Sequence, residues 1–444
     1  MFIISKARIS LIYVGNEKYS GGEPLNLGFI AAYLEKHGVE VNIIDQVAGQ
    51  NVKKELEKFQ PNIAGITAST PLIYNAYEIS KLCNDMGIFT VIGGVHASIL
   101  PHEVIQHADA VVVGDGEIAM LNLAKKTKRG IIKGEWINNL DEIPLPARHL
   151  MQMNFHVRTK DRNPNSSYMY FVPKGAKVST ILTSRGCPYN CIFCWNSWRN
   201  TPYRFNSPER VIEEIKHLIE NYDISAIWFH DDNLLVNKKR VKKICKLLKE
   251  NEINIVWGCN SRVDIIDYDI LKTIKDVGCK QVDFGFESGS QRILDVLNKK
   301  TTVEQNLKAI KLCRKVGLNF QGSFIIGSPT ETLEDIKKTE KFIIDNDIEN
   351  FQLCIMTAYP GTQLWSYCKE NNMLPDKFDW SLFNSDYAPF SCNKNFTKEE
   401  IENIFNSVHR KLILNRIAKH PIKSFRKLIN HPKTIRSFYN RMTK

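Results

Sequence analysis

Short runs of β-branched and aliphatic residues alternate with helical periods along the first 130 residues of the chain. Each run is followed by a loop of small residues and then by apolar positions spaced near 3.6, as in Leu25–His37, which ends at Gly38. This alternation predicts an α/β fold with a doubly wound parallel sheet of the Rossmann-like kind. The predicted strands are Arg8–Val14, Val39–Ile44, Ile63–Thr67, Thr90–Ile92 and Ala110–Val113.

The same alternation resumes near residue 177. Helical patterns such as Pro208–Asn221 and Lys238–Asn251 separate six further runs. Six strand–helix units are fewer than the eight of a closed barrel, so we expect a partial (β/α)6 barrel. Its predicted strands are Val178–Thr183, Ala226–His230, Asn254–Cys259, Gln281–Phe286, Phe320–Ile326 and Phe351–Met356.

Proline-rich and polar stretches limit these regions. Four prolines among polar residues predict a linker or an irregular cap between the two α/β parts. After about Pro375 the strand patterns stop and helical periods with proline breaks follow. We divide the chain into a Rossmann-like domain (1–135), a linker (136–176), a partial barrel (177–375) and a helical, basic C-terminal segment (376–444). The four prolines are Pro144, Pro146, Pro164 and Pro173.

Composition and charge exclude several classes of protein. Of 444 residues, 43% are hydrophobic and 24% are charged, a mixture typical of a globular rather than a disordered chain. The formal net charge of +12 is uneven, because 11 Lys and Arg and no acidic residue lie in 403–444. The other residues carry 49 basic and 48 acidic side chains. A near-neutral body with a basic tail does not predict a nucleic-acid partner.

The basic tail also carries an apolar stripe at helical spacing. This pattern predicts either a terminal helix packed on the barrel or a segment lying on an anionic membrane surface, which would favour a lipid-type substrate. The stripe is Ile401, Ile404, Phe405, Val408, Leu412 and Ile413. The basic residues are Arg410, Lys411, Arg416, Lys419, Lys423, Arg426 and Lys427.

The expected location is the cytoplasm, and the alternative that the basic tail leaves open is peripheral contact with a membrane. The sequence contains no run of about 18 apolar residues, so it predicts no membrane-spanning helix. Eleven cysteines without regular spacing indicate a reducing compartment rather than a disulfide framework. Cys83, Cys245, Cys279 and Cys313 lie in or beside helical and strand patterns, where packing in the core is the expected role.

Three cysteines are clustered in the loop after the first barrel strand. Cys187, Cys191 and Cys194 have the spacing C-x3-C-x2-C, and three thiolates within eight residues can hold an iron–sulfur cluster or zinc. Structural zinc takes four ligands, and no fourth Cys or His lies close by in the sequence. On a cubane cluster, three thiolates leave one iron open, which is a catalytic feature. A zinc site with a remote ligand and core cysteines are the alternatives.

With Phe193 at the aromatic position of C-x3-C-x-aromatic-C, this loop resembles that of the radical S-adenosylmethionine (SAM) superfamily. The resemblance covers about Lys177 to Lys369. It implies a 4Fe–4S cluster on the three cysteines, with an open iron that chelates the amino and carboxylate groups of SAM. It further implies that an electron donor such as flavodoxin or ferredoxin drives cleavage of SAM to a 5′-deoxyadenosyl radical.

The later strand ends match the positions at which this superfamily holds SAM. The resemblance implies contacts to the methionine amino group after the second strand and to ribose or carboxylate after the third. It implies ribose contacts after the fourth strand and adenine packing after the fifth. In that order the residues are Asp231 and Asp232, Asn260 and Arg262, Glu287, and Gly327.

The order of the domains resembles the cobalamin-binding subgroup of this superfamily. Small residues at strand ends would let the backbone approach a corrinoid tail. Many cobalamin proteins supply an axial histidine from Asp-x-His-x-x-Gly, but Asp45-Gln46-Val47 has valine at that position. We expect cobalamin to be bound without that ligand; the alternative is a Rossmann-like domain without a corrinoid. The implied contact residues are Ser69, Gly93, Gly94, His96, Gly116 and Glu117, of which His96 is either a ligand or a structural residue.

Together these features imply a radical SAM enzyme that modifies an unactivated carbon of a small-molecule or lipid-type substrate, most simply by methyl transfer. Oxidative cyclisation or rearrangement without methylation uses the same parts, and a cobalamin-free radical SAM enzyme stays open. A methylthiotransferase would place three further cysteines in the N-terminal domain, where Cys83 is the only one before Cys187. A corrinoid or metal-binding module without catalysis is the alternative of another class.

Overall fold

The computed structural model describes residues 7–15, 22–157, 169, 172–173, 175–195, 201–383 and 389–422. The chain forms two compact units. Unit 1 comprises the described residues of Met1–Gly186, Pro202–Cys259 and Thr273–Lys280. Unit 2 comprises those of Cys187–Thr201, Asn260–Lys272 and Gln281–Lys444.

The N-terminal part is a six-stranded parallel sheet, which confirms the predicted doubly wound fold. Its strands run in the order β2-β1-β3-β4-β5-β6, with the direction of progression reversing between β1 and β3. They are β1 (Arg8–Tyr13), β2 (Glu40–Asp45), β3 (Ile63–Thr67), β4 (Phe89–Gly93), β5 (Ala110–Val113) and β6 (Gly130–Lys133). The helices are α1 (Leu25–Lys36), α2 (Val52–Phe59), α3 (Ile73–Asp85), α4 (Val95–Ile99), α5 (Pro101–Val104) and α6 (Glu117–Lys125).

The segment after this sheet is a packed cap. It contains the short helix α7 (Met153–His156), and its apolar residues join the core of the sheet domain, among them Ala147 and Met151. Arg148 is buried between two carboxylates, with Nε 3.1 Å from Glu23 and Nη2 2.7 Å from Glu214. Charge pairing and burial therefore hold the described part of this segment against the sheet domain.

The second sheet has six strands in the order β14-β13-β12-β11-β10-β7, and crossover helices join its parallel strands. This confirms the predicted partial barrel. The strands are β7 (Val178–Ile181), β10 (Ala226–Phe229), β11 (Val256–Ser261), β12 (Cys279–Glu287), β13 (Asn319–Ile326) and β14 (Phe351–Ile355). A two-stranded antiparallel ribbon, β8 (Ser184–Arg185) and β9 (Arg204–Phe205), was not predicted.

The helices of this part follow the predicted patterns. Side-chain caps fix several of their starts: Ser207 accepts from Arg210 N, and Thr302 and Thr332 form capping boxes. The helices are α8 (Pro208–Tyr222), α9 (Lys238–Glu250), α10 (Tyr268–Lys275), α11 (Gln291–Val296), α12 (Val303–Val316), α13 (Leu333–Asp345) and α14 (Gln363–Glu370).

A long C-terminal helix, α15 (Lys398–Lys419), packs on α13 and β14. Its apolar stripe is buried at Ile401, Phe405, Val408 and Leu412, so the predicted packed terminal helix is confirmed over this range. Lys423, Arg426 and Lys427 lie outside the described residues. Within the part of the chain that the structure describes, no helix is long and apolar enough to cross a bilayer.

Candidate functional site

The three clustered cysteines lie in a loop that backbone hydrogen bonds hold within unit 2. Cys191 is buried, whereas Cys187 and Cys194 are half-buried. Ile192 N donates to Leu297 O at 3.1 Å, and Ile192 O accepts from Leu364 N at 2.9 Å. Backbone hydrogen bonds thus fix a loop that carries three thiols, the donor set that iron–sulfur clusters use.

Arg262 connects this loop to the end of β11. Its Nη1 lies 3.8 Å from Cys191 Sγ, and its guanidinium lies 3.8 Å from the centre of the Tyr189 ring. Nε and Nη2 each donate to the Asp264 carboxylate at 3.0 Å, and Nη2 also donates to Lys299 O at 2.6 Å. The guanidinium is therefore held in one orientation with an N–H facing a cysteine sulfur.

Glu287 forms a buried ion pair at the end of β12. Lys299 Nζ donates to Glu287 Oε1 at 2.6 Å, and Glu287 has a left-handed φ of 61°. A Cβ at Gly285 would collide with Glu287 Oε1, so a side chain there would displace the ion pair from its position over the strand. Oε2 of Glu287 has no partner among the described residues, which leaves an acceptor for a ribose hydroxyl.

The two neighbouring aspartates after β10 have different environments. Asp231 is fully buried and accepts from Thr183 N at 3.2 Å, from Thr183 Oγ1 at 2.9 Å and from Ser184 Oγ. Its oxygens fix the end of β7. Burial, together with the charge of Asp231, raises the pKa of Asp232 to about 6. Of the two aspartates predicted to contact the methionine amino group, Asp231 is thus occupied by hydrogen bonds to Thr183 and Ser184.

The turn after β13 is built around Gly327, which has a φ of 89°. Gly327 N and Ser328 N donate to Glu331 Oε2 at 2.7 and 3.1 Å. Asn393 Nδ2 donates to Ser328 O at 2.6 Å and to Glu331 O at 3.0 Å. Neither Glu331 nor Asn393 was predicted from the sequence; the position of a glutamate four residues after Gly327 was the available signal.

The strand ends of the first sheet form an open edge at Ser69 and Gly93. Ser69 is exposed, and a Cβ at Gly93 would approach nothing nearer than Val112 at 3.9 Å. Gly94 differs, because its φ is 95° and a Cβ there would lie 2.9 Å from Ala68 O. The exposed Ser69 and the uncrowded Gly93 thus lie at the strand ends, the edge at which doubly wound sheets bind ligands.

His96 and Asp45, which were considered in relation to the axial ligand of cobalamin, each lie close to a side chain of opposite charge type. His96 is buried, with Nε2 3.5 Å from Glu103 Oε1, which favours the structural interpretation of this residue. Asp45 is also buried, and its Oδ2 lies 2.6 Å from Nε2 of His156 in the cap. The Asp45 carboxylate is thus paired with a histidine distant in sequence.

Acidic residues in and after the loop that follows β5 form ion pairs with arginines on either side of the cysteine loop. Glu117 Oε1 accepts from Arg185 Nη2 at 2.6 Å, and Asp115 Oδ2 accepts from Arg185 Nη1 at 3.2 Å. Arg204 Nη2 lies 2.9 Å from the same Asp115 oxygen. A Cβ at Gly116 would lie 2.6 Å from Ile30 Cδ1. Glu117 therefore contacts Arg185, which lies two residues before Cys187. This contact was not predicted from the sequence.

Comparison with known proteins assigns both halves of the chain. Residues 14–124 match the B12 binding domain family, and residues 181–343 match the Radical SAM superfamily. The chain is 34% identical over 416 residues to an uncharacterised methyltransferase of Pyrococcus horikoshii, covering 87% of each protein. It is 27% identical to the anaerobic magnesium-protoporphyrin IX monomethyl ester cyclase of Rubrivivax gelatinosus, over 84% of this chain and 72% of the relative.

A solved structure shares the fold. The cobalamin-dependent S-adenosylmethionine radical enzyme OxsB, with aqua-cobalamin and S-adenosylmethionine bound, superposes with a TM-score of 0.74 at 17% identity. The match covers 98% of this chain and 71% of that one. The three predicted cofactors, a 4Fe–4S cluster, SAM and cobalamin, are those that the two matched families imply. The chain belongs to the radical SAM superfamily, among its members that carry a B12-binding domain.

Proposed function

We propose that the protein is a cobalamin-dependent radical SAM methyltransferase acting on an unactivated carbon of a small molecule. The carrying observation is that a loop of three thiols, with Arg262 against Cys191, occurs on one chain with a B12-binding domain. The relative named a methyltransferase, which aligns over 87% of the chain, supports methyl transfer. When bound, the cluster and SAM supply a 5′-deoxyadenosyl radical, and cobalamin supplies the methyl group.

In this proposal, the side chains bind the cluster, SAM and cobalamin and hold them in position. Cys187, Cys191 and Cys194 hold the cluster, Asp232 accepts from the methionine ammonium, and Arg262 with Asn260 faces the carboxylate and ribose. Glu287 Oε2 accepts from ribose, and the turn at Gly327 packs on adenine. Ser69, Gly93 and Gly94 receive the cobalamin tail, whereas Asp231, His96, Gly116 and Glu117 shape the loops that carry these contacts.

Oxidative cyclisation is the second candidate, because a magnesium-protoporphyrin cyclase aligns over 84% of the chain. Isotope labelling separates the two reactions. The anaerobically reconstituted protein is incubated with reductant, cobalamin, SAM carrying a deuterated methyl group, and a small-molecule extract. Methyl transfer predicts 5′-deoxyadenosine and a product heavier by a labelled methyl group. Loss of hydrogens without label would indicate cyclisation. Iron–sulfur absorbance without a corrinoid spectrum would refute the cobalamin assignment.

We also propose a flavodoxin or ferredoxin as the electron donor and anionic membrane contact through residues 423–444. Ending the chain after Ile422 keeps the packed helix α15 and removes seven basic residues. We expect this truncation to abolish co-sedimentation with vesicles containing anionic lipid, because clustered basic residues supply the attraction. Vesicles of neutral lipid are the control, and equal sedimentation of both chains with anionic vesicles would contradict the membrane proposal.

Arg262 is expected to raise the reduction potential of the cluster. Positive charge and N–H donors near cluster sulfurs stabilise the reduced form. We therefore expect Arg262→Gln to shift the midpoint potential to more negative values in a redox titration followed by electron paramagnetic resonance. Arg292→Gln removes a half-exposed guanidinium and serves as the control. An unchanged potential in Arg262→Gln would disprove the contact to Cys191.

The binding of SAM is expected to depend on pH through the carboxyl group of Asp232. Its carboxyl has a pKa of about 6, so only the form present above that pH accepts from an ammonium group. Lowering the pH from 7 to 5 reduces the carboxylate fraction about tenfold. We expect the dissociation constant of SAM, measured by equilibrium dialysis, to rise by about the same factor. Asp232→Asn is expected to flatten this profile; an equally steep profile in the variant would assign the titration to another group.

A further inference from the structure

The two faces of strands β12 to β14 differ sharply in polarity. On one face, Phe284 and Phe286 stack with ring centroids 5.8 Å apart, and Phe286 also contacts Phe324 at 5.6 Å. Side chains alternate between faces along a strand, so the intervening residues share the opposite face. That face is polar, and it carries Gln281, Asp283, Gln321, Ser323 and Gln352.

Strand register brings these polar residues into adjacent rows. Asp283 is the register partner of Gln321, and Ser323 is the register partner of Gln352. Gly285 lies on the same face, two residues or about 7 Å along the strand from Asp283. The Glu287–Lys299 pair covers Gly285. The polar rows therefore lie on the barrel face that also carries the proposed ribose contact.

Two acceptors on this face have no hydrogen-bond donor among the described residues. Asp283 Oδ1 accepts one hydrogen bond, from Gln281 Nε2 at 2.7 Å, and Oδ2 has no partner in the described part of the chain. Gln321 is 4% exposed, and its Oε1 has no partner among the described residues. Buried acceptors are normally paired, so Gln321 Oε1 lacks a donor that the described side chains do not supply, and the half-buried Asp283 carboxylate lies beside it.

The missing donor is expected to be cationic. No described Lys or Arg forms an ion pair with Asp283, and burial raises the pKa of its carboxyl to about 7. A neighbouring positive charge favours the carboxylate form of a buried acid. Lys299, on the same side of the strand, is already paired with Glu287. Among the described residues, no Lys or Arg therefore supplies a cation to Asp283, which leaves its carboxylate available to a cationic group of a bound molecule.

We propose that the inner face of β12 to β14 binds a protonated nitrogen of the substrate, an ammonium or amidinium group, with Asp283 and Gln321 as its acceptors. The substrate class is then a nitrogenous polar molecule rather than an apolar lipid. This inference rests on the proposed function, because it places the substrate on the barrel face that also carries the SAM contacts. Ser323 and Gln352 supply further hydrogen-bonding groups in the next row.

Matched pairs of small probes test the inference without knowledge of the substrate. Benzylamine is compared with benzyl alcohol, and cadaverine with 1,5-pentanediol, on the cluster-loaded protein at pH 8 by isothermal titration calorimetry or ligand-observed NMR. We expect each amine to bind more tightly than its alcohol. Asp283→Asn is expected to weaken amine binding about tenfold or more and to leave the alcohols unaffected, because only the charge-assisted hydrogen bond is lost.

Two further variants complete the design. Gln321→Met removes the second acceptor at similar volume and is expected to weaken the amines as well. Asp376→Asn makes the same charge change at an exposed position and is expected to alter nothing. Amines that bind wild type no better than the alcohols, or that bind Asp283→Asn equally well, would overturn the inference. The proposed function is scored separately by SAM cleavage in the wild-type protein, so the two failures are distinguishable.

Discussion

Replacing Cys191 by alanine is expected to reduce the reductive cleavage of SAM to the level of the iron-free protein. Cys191 is the most buried of the three clustered cysteines, and two remaining thiols cannot hold a cubane by three corners. The measurement is 5′-deoxyadenosine formed under anaerobic reduction, together with bound iron and sulfide. Both quantities are expected to fall together, because the cluster is the site of the chemistry.

Cys245→Ala is the matched control for this experiment. Burial raises the pKa of the Cys245 thiol to about 12, so it is a poor metal ligand at neutral pH. We expect this variant to load iron and to cleave SAM like the wild type. Cleavage that survives in Cys191→Ala would refute the radical assignment, and a loss in both variants would show that the change acts through folding.

The second large effect is expected at Arg148. Replacing it by methionine leaves the Glu23 and Glu214 carboxylates buried without their counter-ion, and such a loss costs about 3–5 kcal/mol of stability. The apparent melting temperature is expected to fall by on the order of 10 °C. Arg129→Met is the control, since its side chain is 77% exposed and its ion pair contributes about 0–1 kcal/mol.

The destabilisation of Arg148→Met is expected to depend on pH. Burial raises the pKa of Glu214 even beside Arg148, and loss of the guanidinium raises it further. A carboxyl whose folded pKa lies above its unfolded value loses stability as the pH rises above that unfolded value, 4.5. The deficit should therefore be smallest near pH 4.5 and largest at neutral pH. A deficit that is constant between pH 5 and 8 would assign the effect to lost packing instead.

Features that depend on local pattern were predicted well from the sequence. Helix α8 was expected at Pro208–Asn221 and spans Pro208–Tyr222, because Ser207 and Pro208 mark its start and its apolar face repeats at 3.6. The cysteine loop was also predicted from local pattern, because its three cysteines lie within eight residues of one another in the sequence. β6 was missed because it is a half-exposed strand at the sheet edge with only two apolar residues, Ile131 and Ile132, between Gly130 and Lys133.

Contacts between distant segments were not predictable from one sequence. Arg185 and Glu117 are separated by 68 positions, and nothing in the spacing of either residue indicates the pair. The roles of Asp231 and Asp232 also depend on the fold, because adjacent aspartates differ only in what surrounds them. Polar residues that lie side by side through strand register, such as Asp283 and Gln321, likewise become visible only when the register is known.

The Arg185 contacts bear on how this family can be engineered. Unit 1 contains the B12-binding match together with the first strands of the barrel, and Asp115 and Glu117 belong to one family match while Arg185 and Arg204 belong to the other. A cut between the two matched regions would leave two acids on one fragment and two guanidinium groups on the other. Chimeras between family members should therefore exchange these four residues as one block, and an isolated barrel fragment is a poor candidate for separate expression.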